Sequence, residues 1–494
     1  MAYAAEPTPE TAPERCAALA TQAGADTVVT ATRVVAEAAP LPEYCLVEGY
    51  VVTPGVDGGS DNQVGFRVGL PTKWNRDLYF QGVGGLAGSI GSLDLGLQRG
   101  YASASTDTGH TGGGADGTWA YNNPTKRLDY AYRATHVVTV AAKQLISSFY
   151  QERPRYSILN GCSNGGRQGL MEAQRYPDDY DGVISRDPAM SATGIVTNWI
   201  YQIQAQLAEE GGWLSPDDLN KVAAVSLKYN DARDGLTDGL ISDPERATLN
   251  GSMLAKTGLS AAKIRTALAI HAGLTTAQHE QVVLGKPIGH QTGWPTYLTG
   301  STAPVQGPDG TLDYPYGPGM PRAEMQTNEF LRYFIFDDPT YKVTQFDLSR
   351  DLGALRERLK PADATNPDLR PFADRGGRLL LLQGWADPAV DARMLVDYYK
   401  SVTRTLGAAK SDQTARLFMM AGTYHCAGGH GMGNVDSLTA MEKWLRDGQA
   451  PETILAATAD GRRTRPLCQY PAQAIYVGHG NVDDAASYRC SSSQ

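Results

Sequence analysis

Features that would signal a nucleic-acid, membrane or zinc protein are missing from this sequence. Its 494 residues contain 44 Lys and Arg against 53 Asp and Glu, a formal net charge of −9, and no basic run that could follow a phosphate backbone. No uncharged apolar stretch approaches the roughly 18 residues that cross a bilayer. Cys-x-x-Cys and Cys…His spacings of the zinc type are also absent. We therefore expect neither a nucleic-acid partner nor a membrane segment.

Disorder and fibre formation are excluded as well, because hydrophobic residues make up 41% of the chain and charged residues 20%, an ordinary globular mixture. At roughly 100–200 residues per domain, the length allows two or three packed units. Residues 1–14 lack the basic start and the apolar stretch of a secretory signal. Either the protein is cytosolic, or a leader has been removed and replaced by Met1.

The cysteines favour the second alternative, since six is an even number and paired cysteines persist in secreted proteins. We expect a secreted or periplasmic protein; six reduced thiols in a cytosolic core are the alternative. The sequence alone does not fix the pairing. Proximity along the chain favours a bond between Cys16 and Cys45 and another between Cys468 and Cys490. Cys162 and Cys426 then remain.

Strand and helix patterns alternate near both ends of the chain. Apolar runs of strand length and amphipathic helical runs occupy residues 64–70, 77–81, 128–150 (helix), 156–160, 379–383, 416–420 and 436–447 (helix). This alternation predicts an α/β unit with a mostly parallel sheet.

The pattern is interrupted after residue 188. A helical, Gln/Ala/Asp-rich stretch runs to about residue 286, and a Gly/Pro/Tyr-rich stretch with few periodic segments follows at residues 287–321. We predict one α/β domain formed by residues 1–188 and 355–494, with residues 189–354 as an inserted domain.

The segment Gly161-Cys162-Ser163-Asn164-Gly165 matches Gly-x-Ser-x-Gly, with a strand before it and a helix-compatible run after it. Its two glycines permit the sharp turn that lifts a serine hydroxyl out of the sheet. Chance matches are common in a glycine-rich chain, but here the flanking elements supply the required context. The segment predicts Ser163 as a nucleophile.

A serine hydroxyl needs a base beside it, so a carboxylate and a histidine are expected later in the chain. Asp387 follows the strand at residues 379–383, and His425 follows the strand at residues 416–420. His430 is the nearest rival to His425. The order Ser163, Asp387, His425 predicts a catalytic triad.

Two members of this triad have a cysteine as a neighbour, because Cys162 precedes Ser163 and Cys426 follows His425. A disulfide needs Cα atoms roughly 4.4–6.8 Å apart, so a bond between these cysteines would pin the two loops together. The alternative is a buried thiol at Cys162 and an unrelated one at Cys426.

These segments resemble the tannase and feruloyl esterase family of α/β-hydrolases, which includes bacterial hydrolases of mono(2-hydroxyethyl) terephthalate. The hallmark of the family is a Cys-Ser…Asp…His-Cys arrangement, matched here by Cys162-Ser163, Asp387 and His425-Cys426. The resemblance covers residues 45–490, nearly the whole chain. It implies an α/β-hydrolase fold with a large inserted lid domain.

A glycine-rich loop, Gly82-Val83-Gly84-Gly85-Leu86-Ala87-Gly88, follows the strand at residues 77–81. It can be interpreted as an oxyanion loop, a plain tight turn, or a weak dinucleotide fingerprint. An α/β-hydrolase takes one oxyanion amide from the residue after the nucleophile and another from an early loop. We expect these amides at Asn164 and at Gly84 or Gly85.

Residues 230–240 of the inserted domain are rich in Asp and Gly. By composition alone this is a solvated turn or an all-oxygen site for a hard cation. The resemblance implies a lid calcium site, Ca²⁺ being held by carboxylates of Asp231, Asp234 and Asp238 and carbonyls of Leu236 and Leu240. Family members commonly bracket this loop with a disulfide; here it is flanked by Asn230 and a cysteine-free stretch through Thr248, so calcium would order it with less covalent help.

Large aromatic residues of the inserted region could wall a pocket for a planar ring or build the lid core. They are Trp199, Trp213, Trp294, Tyr297, Tyr314, Tyr316, Phe330, Tyr333 and Phe334. The resemblance implies a small aromatic ester as substrate, of the hydroxycinnamate, gallate or terephthalate type. We expect a serine carboxylesterase that needs no organic cofactor. A serine peptidase, a Cys162 hydrolase and a silent binding protein are the alternatives, and the oligomeric state is not predicted.

Overall fold

The computed structural model describes residues 11–22, 24–308 and 310–492. Residues 1–10, most of the amino-terminal segment that lacks the features of a secretory signal, lie outside this range. Among the residues described, no helix is both long enough and apolar enough to span a membrane.

In chain order the strands are β1 (Thr27–Val35), β2 (Tyr44–Thr53), β3 (Asn62–Pro71), β4 (Leu78–Gln81), β5 (Ala102–Thr106), β6 (Ser157–Cys162), β7 (Gly182–Arg186), β8 (Gly273–Thr275), β9 (Gln281–Leu284), β10 (Val305–Gln306), β11 (Leu312–Asp313), β12 (Arg378–Gly384), β13 (Ala415–Met420), β14 (Asn434–Val435), β15 (Thr453–Ala457), β16 (Thr464–Cys468), β17 (Ala472–Tyr476) and β18 (Tyr488–Ser492).

The α-helices are α1 (Ala12–Ala18), α2 (Asp94–Gln98), α3 (Pro124–Leu128), α4 (Ala134–Tyr150), α5 (Asn164–Arg175), α6 (Ala192–Leu207), α7 (Pro216–Asn230), α8 (Gly251–Leu254), α9 (Ala261–Ala272), α10 (Arg322–Glu329), α11 (Leu348–Leu359), α12 (Arg370–Asp374), α13 (Ala392–Leu406), α14 (Ala408–Thr414) and α15 (Ser437–Asp447).

A nine-stranded sheet forms the centre of the described structure, in the order β1-β2-β3-β5-β4-β6-β7-β12-β13. Strands from β5 to β13 along this order pair in parallel, whereas β1, β2, β3 and β5 pair antiparallel. The predicted α/β fold with a mostly parallel sheet is confirmed. Because parallel strands end at a common edge, the loops after β6, β12 and β13 meet there.

Strand β12 shows why this sheet is buried. Its run of four leucines alternates between two cores: Leu379 and Leu381 face one, and Leu380 and Leu382 face the other. Side chains of successive strand residues point to opposite faces, so a continuous apolar run requires cover on both. Helices α4, α5 and α13 cover the first face, and α15 covers the second.

Residues between β7 and β12 fold mostly into α6 to α11 around a separate apolar core, and within the described residues the central sheet takes no strand from them. The predicted boundaries at residues 188 and 354 stay a prediction. The helical stretch expected to run to about residue 286 ends earlier, with α9 at residue 272, because β8 and β9 form a hairpin after it. A Cβ at Gly273 would lie 2.1 Å from the Val283 carbonyl oxygen, so α9 ends at this glycine and the hairpin begins.

The helix predicted at residues 128–150 is also interrupted. A π-helical turn at Asp129–Arg133 separates α3 from α4. The buried Asp129 carboxylate accepts hydrogen bonds from Thr53 and Asn62 of neighbouring strands and from Arg133, and these contacts stabilise the wider turn in place of a regular one.

Candidate active site

Three disulfides cross-link the chain, and all three predicted pairs are confirmed. Cys16 bonds Cys45 and Cys468 bonds Cys490, with Cα atoms 5.7 and 5.6 Å apart. Cys162 bonds Cys426 across 264 positions of sequence, with Cα atoms 5.9 Å apart. These three bonds account for all six cysteines of the sequence, so the interpretation as six reduced thiols is wrong.

Ser163 lies on the tight turn between β6 and α5. Its backbone has φ 61° and ψ −123°, a strained conformation for a residue with a side chain. The glycines on either side are required by space: a Cβ at Gly161 would lie 2.4 Å from the Gly165 carbonyl group, and a Cβ at Gly165 would lie 2.8 Å from Gly82. The strand, turn and helix expected around Ser163 are present.

A buried hydrogen-bond network fixes the first turn of α5. The Asn164 side chain donates to the Val83 carbonyl at 3.0 Å and accepts from Arg167. Arg167, which is 2% exposed, donates in turn to the carbonyls of Tyr130 and Ala131. The backbone amide of Asn164 is one of the first N–H groups of a helix, which lack intrahelical acceptors.

Asp387 and His425 form a buried hydrogen-bonded pair at the ends of β12 and β13. Asp387 Oδ2 lies 2.8 Å from His425 Nδ1, and Asp387 Oδ1 accepts from the amides of Ala389 and Val390 at 2.7 and 2.9 Å. Burial opposes both charges, but their mutual attraction outweighs it. His425 lowers the pKa of Asp387, and Asp387 raises the pKa of His425.

Ser163 and His425 line one cavity, together with Asn164. His430, the rival histidine, does not line it; its exposed ring stacks on His290 at 4.9 Å between centroids. The structure therefore brings the predicted serine, histidine and carboxylate together at one edge of the sheet.

The structure distinguishes the two candidate glycines of the early loop. Gly85 lines the cavity and Gly84 does not. Gly85 has φ +61°, and a Cβ there would lie 2.4 Å from the Gly114 carbonyl oxygen. The Tyr130 hydroxyl donates to the Gly85 carbonyl at 3.1 Å, which fixes the orientation of that peptide.

Three of the predicted lid aromatics, Trp199, Tyr297 and Phe330, line the cavity. The Tyr297 ring also contacts the His425 ring, with centroids 5.3 Å apart. The remaining ones serve the lid core or its surface: Trp294, Tyr314 and Phe334 are buried there, Trp213 and Tyr333 pack against it, and Tyr316 is exposed.

Sequence reasoning missed Arg322, which lines the cavity. Its guanidinium carbon lies 5.6 Å from the centroid of the Tyr297 ring. Arg322 is exposed, and within the described part of the chain it has no hydrogen-bond or ion-pair partner. Its position at the first residue of α10 follows from the lid fold, and no local pattern in the sequence indicates it.

The acidic loop of the lid holds its carboxylates through its own amides. Asp231 accepts from the amides of Asp238 and Gly239, and Asp234 accepts from that of Leu236. Asp238 accepts from Leu240, and its Oδ2 also pairs with two arginines near the carboxyl terminus, Arg463 at 2.9 Å and Arg465 at 2.8 Å.

These contacts test how well the loop suits a cation. Its donors are oxygens, as a hard cation requires. The three carboxylates are not among the groups, within the described residues, whose ligand atoms all lie within 4.8 Å of one another. Two guanidinium groups already offset the charge of Asp238. The oxygen donors of the loop suit calcium, but the three carboxylates do not converge on one point as a bound ion would require.

Comparison with known proteins gives concordant results. A family model described as tannase and feruloyl esterase matches residues 48–491. Feruloyl esterase B from Aspergillus niger is 30% identical, over 89% of this chain and 86% of its own. Mono(2-hydroxyethyl) terephthalate hydrolase from Piscinibacter sakaiensis is 30% identical, over 92% and 86%. The crystal structure of feruloyl esterase B from Aspergillus oryzae superposes with a TM-score of 0.83 at 23% identity, over 97% of this chain and 100% of its own, which shows a shared fold.

Proposed function

Because this chain belongs to the tannase and feruloyl esterase family of carboxylic ester hydrolases, we propose that it cleaves esters of aromatic acids with Ser163, His425 and Asp387 as its triad. The observation that carries this proposal is the single cavity shared by Ser163 and His425, with Asp387 hydrogen-bonded behind the imidazole.

In the proposed mechanism His425 accepts the proton of the Ser163 hydroxyl as the serine oxygen attacks the ester carbonyl carbon. Asp387 holds the imidazole in the required tautomer and stabilises its charged form. The alcohol leaves with that proton, and an acyl-enzyme remains. Water, deprotonated by His425, then attacks the acyl carbon and releases the acid and free Ser163.

Backbone amides of Asn164 and Gly85 are proposed to stabilise the tetrahedral oxyanion. Both residues line the cavity beside Ser163, and the Gly85 carbonyl and the Asn164 side chain each form a hydrogen bond to a neighbouring segment. Fixed donors of this kind need no reorganisation when charge develops in the transition state. The position of Gly85 on the cavity wall favours it over Gly84.

The substrate proposal rests on the lid side of the cavity. Trp199, Tyr297 and Phe330 offer apolar surface to a planar ring. Arg322 adds a cation without an anionic partner among the described residues. A second, free carboxylate on the acid would meet this guanidinium, so we favour esters of the terephthalate type over uncharged hydroxycinnamates and gallates.

A substrate panel tests both levels of this proposal. Methyl gallate, methyl ferulate, methyl p-coumarate, mono(2-hydroxyethyl) terephthalate and its neutral diester would be given to the wild type, to Ser163→Ala and to Arg322→Gln. Ser163→Ala is expected to lose at least ~10⁴-fold in kcat. Arg322→Gln is expected to lose about 10-fold in kcat/KM for the charged monoester only, and Arg322→Lys to recover part of it.

Each unfavourable outcome of the panel has a definite meaning. Retained activity in Ser163→Ala would overturn the triad. Equal losses on charged and neutral esters would overturn the role of Arg322 and leave the triad standing. Faster cleavage of a matched p-nitroanilide than of any ester would identify a peptidase, and a wild type inactive on every ester would favour a binding protein.

Two further parts of the proposal concern the surroundings of the enzyme. Three disulfides favour an oxidising compartment, so we propose that the protein works outside the cytosol. We also propose that Ca²⁺ is bound by the carboxylates of Asp231, Asp234 and Asp238 with carbonyls of Leu236 and Leu240. The ion would supply rigidity to the lid, away from the reacting atoms, and these carboxylates would have to converge for it to bind.

A further inference from the structure

Two buried charged residues that the mechanism above does not use lie next to the Asp387–His425 pair. One is Asp187, which follows β7 and has no exposed surface. Its Oδ1 accepts from the Gly384 amide at 2.7 Å, and its Oδ2 accepts from the Cys426 amide at 2.9 Å. Gly384 is the last residue of β12, directly before the loop that carries Asp387, and Cys426 follows His425. Asp187 therefore ties both loops to the central sheet.

The other residue is Lys286, which comes from the lid and is 3% exposed. Its Nζ donates to the backbone carbonyl of Asp387 at 3.2 Å. The Lys286 backbone is held as well: its amide donates to the Ile270 carbonyl at 2.9 Å, and its carbonyl lies 2.8 Å from Nδ1 of His271. A buried ammonium is costly unless a specific arrangement stabilises it. Here the Lys286 ammonium contacts the backbone of Asp387, the proposed triad carboxylate.

Given the proposed function, on which this inference rests, we propose that Asp187 and Lys286 are positioning residues of opposite charge that flank the Asp387–His425 pair. Asp187 fixes the two loops from the sheet side, and Lys286 fixes the Asp387 loop from the lid side. Neither residue lines the cavity, so neither acts on the ester directly. The two charges act on His425 in opposite directions.

The surrounding charges define the sign of each effect. Burial and its like-charged neighbour Asp387 raise the pKa of Asp187, while Arg186 and His425 oppose that rise. Burial lowers the pKa of Lys286. The negative charges of Asp391 and Asp387 oppose this change, and the positive charge of Arg393 adds to it. At His425, the Asp187 charge raises the pKa and the Lys286 charge lowers it. Tyr297 is the remaining titratable group whose ring contacts this imidazole.

These signs predict opposite shifts of one pH profile. The base form of His425 is needed for attack, so kcat/KM rises with pH as this imidazole loses its proton. Removing the ammonium in Lys286→Met is expected to move this acid limb to higher pH, because His425 then holds its proton more tightly. Removing the carboxylate in Asp187→Asn is expected to move the limb to lower pH. Each shift is expected to be about one pH unit.

The experiment measures kcat/KM against pH on a neutral aromatic ester for both variants. Lys221→Met and Asp217→Asn are matched controls on the exposed surface of α7 and should leave the profile unchanged. Lys286→Arg restores the buried charge and should return the limb towards that of the wild type. Melting temperatures show whether each variant is folded.

The outcomes separate this inference from the proposed function. Shifts in opposite directions support it. Shifts in the same direction, or a loss of kcat with an unmoved limb, overturn it and leave only a packing role. If Asp187→Asn does not fold, Lys286→Met and its arginine rescue decide alone. An active Ser163→Ala variant would instead remove the proposed function itself.

Discussion

The two sides of the cavity are built in different ways. On the sheet side, Ser163, Asp387 and His425 follow parallel strands whose ends are fixed by backbone pairing and by the Cys162–Cys426 bond. On the lid side, Tyr297 and Phe330 come from the π-helical segments Pro295–Thr299 and Phe330–Ile335, and Trp199 comes from α6. The proposed catalytic groups therefore follow strands of one paired sheet, while the groups proposed to select a substrate lie on helical segments inserted between two of those strands, where sequence can vary more freely.

The sharpest test of this contrast is Asp387→Asn on the sheet side. The amide leaves the fold intact but no longer stabilises the charged imidazole or its tautomer, so kcat is expected to fall about 10⁴-fold with little change in KM. Steady-state kinetics measure kcat and KM, and a melting curve shows whether the fold is intact. Asp397→Asn, on the exposed part of α13, is the control. A fall of less than 10-fold would assign the orienting carboxylate elsewhere.

The second test removes the disulfide between the loops that carry Ser163 and His425. A Cys162→Ala/Cys426→Ala variant is expected to lose both stability and kcat, the latter by about 100-fold, because a shift of roughly 1 Å between reacting groups has that effect. The matched variant Cys468→Ala/Cys490→Ala removes a bond that joins residues 22 positions apart. It should lower the melting temperature and keep kcat. Equal kcat in the two variants would contradict a role of the first bond in alignment.

The smallest expected effect lies on the lid side, at the acidic loop. Excess EGTA should lower the melting temperature of the wild type by a few degrees, since an ion bound to the folded state stabilises it by mass action, and kcat at room temperature should change little. Asp231→Asn should already melt lower and should no longer respond to EGTA, whereas Asp217→Asn should behave like the wild type. An unchanged wild-type curve would argue that Arg463 and Arg465 alone compensate the loop.

The same contrast explains what could be predicted from the sequence. The strands before Ser163, Asp387 and His425 can be recognised because their central residues are mostly apolar, as burial of the sheet requires, and because a glycine lies at or just after the end of each: Gly161, Gly384 and Gly422. The Cys16–Cys45 and Cys468–Cys490 bonds could be predicted from proximity along the chain, and the Cys162–Cys426 bond from the two cysteines that remained, which adjoin Ser163 and His425. These signals are local, so they survive without knowledge of the tertiary fold.

The remaining site residues were not predictable for a physical reason. Asp187 and Lys286 are charged, and charged residues are rarely buried, so composition places them on the surface. Their partners, Gly384 with Cys426 and the carbonyl of Asp387, are distant in sequence. Arg322 reaches the cavity only through the path of the lid, whose short helices and hairpins lack a clear period.

The middle disulfide has a practical consequence for anyone who produces this protein. One bond links two residues near the amino terminus and another links two residues near the carboxyl terminus, whereas the Cys162–Cys426 bond joins segments 264 positions apart. A recombinant strain with a reducing cytosol would produce protein in which the loops carrying Ser163 and His425 are joined only by noncovalent contacts, and poor turnover of such a preparation would be misread as the wrong substrate. Export to the periplasm, or an oxidising host, should come before any screen.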